Sequence, residues 1–341
     1  MHAALSEDQV LLAAIAGRLA DELACPPPNA LPPVEDDIAG WRSLVDTGFS
    51  CMHVPETFGG GGAHSADAAL VVEQFGRTLS AVPLLGQGVL APELASRAGA
   101  TELVAGCVAG EQRVTIGFDA VLGETARCGA PAFAWDARGA THALALDAAD
   151  RLCLVALADV PVACADITRV LRRVDLDAPA QVLSEPVEPA VLTGLHAFAL
   201  AMLSADLVGV MQSAVDAAVE YVAARVQFGV AVGTFQAVQH LAADAKVLLE
   251  GARSSMWYAA WAADELDPAD ALLAARHAKA YCSRVGREVV ELQTQLFGGI
   301  AITWEERAHV RVRRVLLDRV TLGDEFAHED AIASTRLGVR A

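Results

Sequence analysis

Apolar residues recur at three- and four-residue spacing along DQVLLAAIAGRLADEL (8–23), IAGWRSLVDTG (38–48) and ADAALVVEQFGRTL (66–79). This spacing predicts amphipathic helices from Ser6 to about Gly110. CPPPNALPP (25–33) and the glycine run of PETFGGGGAHSAD (55–67) read as hinges between them. Ser65 or Asp67 is the candidate cap of the helix that follows. From Arg113 to Val187 the texture changes to short stretches (RVTIGF, FAWD, THALALD, RLCLVAL, ITRVLRRVDL) split by Gly, Asp and Pro. These predict strands of a modest antiparallel β domain. From Pro189 onward long helical periods return, with candidates at 191–225, 234–264, 268–296 and 304–321 joined by short turns. The pattern is an α+β chain in three parts. They are an N-terminal helical domain (1–112), a middle antiparallel β domain (113–188) and a C-terminal four-helix bundle (189–341).

Composition narrows the function classes. The chain has 341 residues, 54% of them hydrophobic, and a mean hydropathy of +0.38. It can bury a large core without a metal or disulfide staple, and intrinsic disorder is excluded. A net charge of −18 argues against nucleic acid and against an anionic membrane surface, since both need a basic face. The positive charge is nearly all arginine, with Lys246 and Lys279 the only lysines. The seven cysteines form no C-x-x-C pair and read as free, buried thiols of a reducing compartment, with no metal site. The N-terminus has no basic stretch of the secretory kind. The longest uncharged run, Pro189 to Ala205, contains His196 and falls short of the ~20 apolar residues of a membrane span, so it reads as a buried helix. These features predict a cytoplasmic protein that does not enter a membrane. His240, His277 and His309 lack metal-ligand spacing to one another and read as structural. Trp257, Tyr258 and Trp261 read as bundle core or interface.

Two stretches carry candidate chemistry. In YVAARVQFGVAVGTFQAVQHLAADAK (221–246), Arg225 closes one helix, Gly229 stops it, and Gln236 and Gln239 open the next. In QTQLFGGIAITWEERAHVRVRR (293–314), Gly298-Gly299 permits close backbone approach because no Cβ intervenes. Arg307, Arg311 and Arg314 follow at helical spacing. That basic stripe either meets a phosphate-bearing ligand or pairs with surface acids.

Taken together, R-x-Q-F-G, Q-x-x-Q and Q-x-x-G-G before a basic helix resemble the acyl-CoA dehydrogenase family. The N-terminal WRSLVDTGFSCMHVPETFGGGGAHSADAALVVEQFGRTLSAVPLL also resembles that family's helices, and the order of zones fits. The resemblance implies α,β-dehydrogenation of a CoA thioester, with a carboxylate taking the α proton and FAD accepting the β hydride. It implies that Arg225, Phe228 and Gln236 reach across a subunit interface to the FAD of a neighbour, the guanidinium fork suiting pyrophosphate oxygens. It likewise implies that Gln295, Gly298 and Gly299 meet the adenosine half.

The family's base is a glutamate at one of two positions. On this chain they fall on Leu322, before Gly323, and on Ala199, ten residues before Gly209. Neither is a carboxylate. Asp324 and Glu325 lie near the first position as candidates for a relocated base. In the β domain only Glu124-Thr125 matches the segment that wraps the flavin ring. Residues serving a neighbour's FAD are kept while those serving this chain's own flavin are not. That pattern resembles the non-catalytic chain of heteromeric enzymes acting on steroid-derived CoA esters, as does TWEERAHVRVRR. The leading expectation is therefore a subunit that contributes to a composite FAD site while a homologous partner supplies the glutamate. Electron-transfer flavoprotein is the expected electron acceptor. The alternatives are a self-sufficient homo-oligomeric dehydrogenase with a relocated base, and a flavin-free scaffold.

Overall fold

The computed structural model describes residues 5–27, 38–175 and 177–338; most of the CPPPNALPP hinge lies outside them. The first helix, α1 (Glu7–Glu22), opens on a capping box, with Ser6 Oγ accepting from the Gln9 N–H and Gln9 Oε1 from the Ser6 N–H, both at 3.2 Å. α2 (Ile38–Asp46) and α3 (Ser65–Arg77) follow.

The start of α3 departs from the expected cap. Ser65 is already helical, and its N–H and Oγ donate to the Asp264 carboxylate at 2.7 and 2.6 Å. Asp67 is engaged elsewhere, accepting from Gln9 Nε2 at 2.9 Å. The anion that suits this helix start thus comes from a distant helix, which spacing cannot reveal. A π-helical turn at Leu84–Leu90 leads into α4 (Ala91–Arg97), followed by α5 (Thr101–Val108).

The middle strands are β1 (Val114–Asp119), β2 (Ala132–Trp135), β3 (His142–Leu146), β4 (Arg151–Val162), β5 (Leu171–Val174) and β6 (Gln181–Pro186). They close into a ring, β3–β1–β2–β5–β4 and back to β3, with β6 added to β4. The pairings are antiparallel except β1 with β3, where Val114 stands opposite His142 in parallel. β2 turns back along one edge of β1, so β3 arrives at the other edge running in the same direction as β1. Of the predicted run 167–176, Leu171–Val174 form β5, and Leu176 lies outside the described residues. The run's first residues, Thr168 and Arg169, enter a buried ionic cluster instead.

The C-terminal part is α6 (Pro189–Ala224), a hairpin of β7 (Val226–Gln227) and β8 (Val230–Ala231), α7 (Gln236–Glu265), α8 (Pro268–Phe297), α9 (Ala308–Val320) and α10 (Glu325–Leu337). α9 begins later than expected because 303–307 are turns, and α10 adds a helix beyond the predicted four. α6 is long and apolar enough to cross a membrane, but it lies mostly buried inside this bundle. α3 crosses it with backbones almost touching. A Cβ added at Gly209 would stand 2.1 Å from the Glu73 carbonyl oxygen, and one at Gly76 would stand 2.6 Å from that of Asp206. The seven cysteines are free, and Cys25, Cys51, Cys107, Cys153 and Cys282 are buried.

The three parts meet at a buried ionic cluster. Arg169, before β5, lies 2.7 Å from Asp206 of α6, 3.3 Å from Asp136 and 3.4 Å from Asp318 of α9. Its guanidinium covers the Trp135 ring at 4.1 Å. Arg314 of α9 lies 2.9 Å from Asp166 and 3.2 Å from Asp206, and donates to the Ser80 carbonyl at 2.8 Å. Asp136 also accepts from the Gly86 N–H at 3.0 Å, which ties in the N-terminal part. Burial opposes an ionised Asp206, but Arg169 and Arg314 overcome it and hold its carboxyl well below the usual range. Burial, with Asp206 beside it, pushes Asp318 well above that range. Neither Asp318 oxygen has a hydrogen-bond partner among the described residues, which fits a carboxyl that burial keeps protonated.

This arrangement predicts unequal mutants. Asp206→Asn leaves two buried guanidinium groups undercompensated and is expected to cost about 3–5 kcal/mol. Asp318→Asn replaces a neutral acid by a neutral amide and is expected to cost under about 1 kcal/mol near neutral pH. A raised acid loses stability as pH climbs above the ordinary carboxylate range, so Asp318→Asn should also flatten that loss. Denaturant unfolding of both variants against pH checks this, and equal losses would contradict a protonated Asp318.

Candidate functional site

The C-terminal ends of α6 and α8 are fastened together by Tyr221 stacked on Phe297, with ring centroids 4.5 Å apart. Ala218, Ala301 and Ala308 are buried beside them. This contact brings the β7–β8 hairpin and the Gly298-Gly299 turn to one end of the bundle. The hairpin turns on Phe228 (φ 54°) and Gly229 (φ 81°), both in the left-handed region that two-residue hairpins of this kind require. Phe228 is 93% exposed, and its ring meets that of Phe235 edge-on at 6.4 Å.

Arg225 caps α6. Its carbonyl accepts from the Val232 N–H at 2.7 Å, while its exposed guanidinium makes no hydrogen bond to any described residue. Gln236 opens α7 and is exposed, as is Gln295 near the end of α8. Gly298 has φ 65° and ψ −144°, open to glycine alone, and a Cβ at Gly298 or Gly299 would meet nothing within 4 Å. All six predicted cofactor residues therefore sit on the surface at one end of the bundle. Val226, Val230, Ile300, Ile302 and Trp304 are exposed around them.

The basic stripe does not behave as either expectation held. Arg314 is buried in the ionic cluster. Arg311 is buried with Nε donating to Ser213 Oγ at 2.9 Å, and burial pushes its pKa down to about 10. These two arginines turn into the core, because the face of α9 that carries them packs against α6 and α8. His309 stacks on Trp304, and His240 and His277 are exposed. Trp257 and Trp261 line a groove of about 700 Å³ between α1, α3 and α7.

Both expected base positions face one cavity of about 260 Å³, where α6, the β domain and the α9–α10 loop meet. Ala199 and Leu322 line it together, so the wall where a carboxylate would stand is hydrocarbon. Leu322 is held at φ 58°, with its N–H donating to the Leu122 carbonyl at 2.6 Å. Asp324 and Glu325 do not line this cavity. Asp324 caps α10, accepting from the Ala327 N–H at 3.0 Å, and Glu325 takes Arg319 Nε and Nη2 at 2.7 Å each. Glu124 and Thr125 do line it, together with His196 and Arg276. Sequence reasoning had given those last two no role.

Behind Leu322, the buried Lys279 of α8 donates to Ser283 Oγ at 3.0 Å and to the carbonyls of Arg319 and Gly323 at 2.8 Å. It thereby pins the loop that carries Leu322. Burial pushes its pKa down to about 7.

The chain's residues 6–105 match the N-terminal domain of acyl-CoA dehydrogenase, and residues 191–336 match the C-terminal domain. Acyl-CoA dehydrogenase IpdE2 of Mycobacterium tuberculosis is 32% identical over 282 residues, covering 80% of this chain and 79% of that one. The chain belongs to the acyl-CoA dehydrogenase family. It is thus an oxidoreductase of the class acting on CH–CH bonds, and the family's cofactor is FAD.

Among solved structures, a Tcur3481–Tcur3483 steroid ACAD superposes with a TM-score of 0.83 at 26% identity, covering 97% of this chain and 98% of that one. The ChsE4–ChsE5 complex from M. tuberculosis superposes at 0.84 with 22% identity, and butyryl-CoA dehydrogenase from Megasphaera elsdenii at 0.84 with 18%; each is covered in full, with 100% and 99% of this chain. These two show the same fold. In this acyl-CoA dehydrogenase chain the exposed guanidinium of Arg225 and the open backbone at Gly298-Gly299 fit a phosphate-bearing cofactor presented from outside. Neither family base position on the cavity around Ala199 and Leu322 carries a carboxylate, and the carboxylate among its described lining residues is that of Glu124.

The depressed pKa of Lys279 has a consequence for stability. Between about pH 7 and its unfolded value near 10.4, the unfolded chain holds a proton that the folded chain lacks, so this residue's contribution rises with pH. The wild-type protein is expected to gain about 1 kcal/mol per pH unit just above neutrality relative to Lys279→Met. Parallel unfolding curves from pH 7 to pH 9 for the two proteins would refute this.

Proposed function

We propose that this chain is one subunit of a heteromeric FAD-dependent acyl-CoA dehydrogenase. Arg225, Phe228, Gln236, Gln295, Gly298 and Gly299 complete the FAD site of a homologous partner, and the partner supplies the catalytic glutamate. The observation that carries this reading is the division between two sites on one chain. The bundle end presents cofactor-type residues outward, while the cavity holding both base positions carries Ala199 and Leu322. Asp324 and Glu325 are already committed to a helix cap and to Arg319, which disfavours a relocated base.

A neighbour-facing role also accounts for Phe228. An exposed aromatic ring at positive φ, which costs about 1 kcal/mol or more, gains a partner when a second chain covers it. The relatives support a heteromer and a substrate class. One structural relative is named as a two-component steroid ACAD and another as a two-protein complex. The proposed substrate is accordingly an acyl-CoA thioester of steroid origin. Electron-transfer flavoprotein is the proposed acceptor.

Purification of the chain alone, and again with a glutamate-bearing homologue, tests this. Flavin is expected only in the co-purified particle. Arg225→Ala is expected to lower flavin retention there by about tenfold or more, as for loss of a charge-assisted contact, while leaving the melting temperature of the chain alone unchanged. A yellow, active particle formed by this chain alone would overturn the proposal.

A further inference from the structure

The cavity around Ala199 and Leu322 carries no carboxylate at either base position, and His196 and Arg276 line it. Leu90, Ile116, Phe118, Leu146, Leu192 and Leu195 supply apolar walls. Two of its lining residues, His196 and Arg276, each carry a buried nitrogen (Nε2 and Nε) without a hydrogen-bond partner among the described residues. Native interiors rarely leave such groups unsatisfied, and each instance calls for an explanation. No carboxylate among the described residues lies within ion-pair distance of Arg276.

Lys279 and His328 stand close behind. Burial, then the neighbouring Lys279, His196 and Arg276, depresses His328 to about 3. Burial, with Arg276 and Lys279 nearby, likewise holds His196 down at about 4, so its ring is neutral at ordinary pH. The cavity lining therefore sets the Arg276 guanidinium and a neutral His196 beside apolar walls, with Lys279 held behind Leu322.

We propose that this cavity binds a small monocarboxylate with a short hydrocarbon tail, its head accepting from Arg276 and His196 and its tail lying on the leucine walls. The inference rests on the reading that this chain's own cavity performs no proton abstraction. Size and charge set the ligand class. At about 260 Å³ the cavity falls just below the roughly 300–1,000 Å³ of drug-sized pockets, so it suits a short acid and not a flavin ring stacked on an acyl chain. Glu124, exposed on the same cavity, tolerates one negative charge in a basic setting but opposes the polyanionic tail of a CoA ester.

Calorimetric titration of the full chain, alone and in its complex, with octanoate, octanol and octanoyl-CoA tests the proposal. Octanoate is expected to bind, and octanol and octanoyl-CoA to bind about tenfold more weakly or not at all. Arg276→Met is expected to weaken octanoate by about tenfold or more, the effect of removing a charged hydrogen-bond partner. Ala199→Leu, which fills the cavity without altering Arg276 or His196, is expected to abolish binding even if Arg276→Met folds poorly. Absence of octanoate binding, equal binding of octanol or octanoyl-CoA, or unchanged affinity in Ala199→Leu would each overturn it. Flavin content and activity of the chain alone are separate readouts. If both are nil and octanoate does not bind, only this inference falls; if the chain alone is yellow and active, the proposed function falls.

Discussion

The fold hangs on one buried cluster in which two guanidinium groups, Arg169 and Arg314, are shared among Asp136, Asp166, Asp206 and Asp318. These residues come from the β barrel, the longest bundle helix and α9, and the Ser80 carbonyl and Gly86 N–H add the N-terminal helices. Buried ion pairs add little net stability over a hydrophobic alternative, but breaking one leaves a charge stranded in low dielectric. The cluster therefore acts as a geometric lock: each part must arrive in register or leave a charge unpaired. Asp318 keeping its proton lets four carboxyls coexist with two arginines. Fixing α9 in this way also fixes the α9–α10 loop, which Lys279 holds from behind, and with it the wall of the cavity.

Local features of the fold were legible in the sequence, while features that need a distant partner were not. The long helices showed in their three- and four-residue period, and the β domain in short runs broken by Gly, Asp and Pro. The cap of α3 was misread because its acceptor, Asp264, belongs to α7. The parallel pairing of β1 with β3 depends on which edge of β1 was already taken. β6 escaped notice because QVLSEP shows no clean alternation, its residues being exposed or half-buried along their whole length. The arginines of α9 suggested a ligand face or a surface stripe because the counterions of Arg314, Asp166 and Asp206, lie outside α9 and cannot be found by counting along one helix.

The site divides along the same line. Arg225, Phe228, Gln236, Gln295 and the glycine pair could be picked out because they fall in compact motifs, and the Tyr221–Phe297 stack that gathers them is also nearly local to the two helix ends. Ala199 and Leu322 were identified as empty base positions by counting, yet the sequence gave no reason for them to share a wall. His196 and Arg276 carried no motif at all. A histidine inside an apolar run and an arginine midway along a helix acquire chemical meaning only when a cavity opens beside both.

A chain that ran the full reaction alone would need a carboxylate where Ala199 and Leu322 now stand. That carboxylate would share a cavity with Arg276. A neighbouring cation favours the ionised acid and lowers its proton affinity, so Arg276 would weaken a glutamate placed there as a base. The outward-facing residues at the bundle end are not affected by this, being remote from this cavity and exposed to whatever chain covers them. The exposed bundle end and the altered base positions are thus separate features of one chain, and the proposed composite site rests on both.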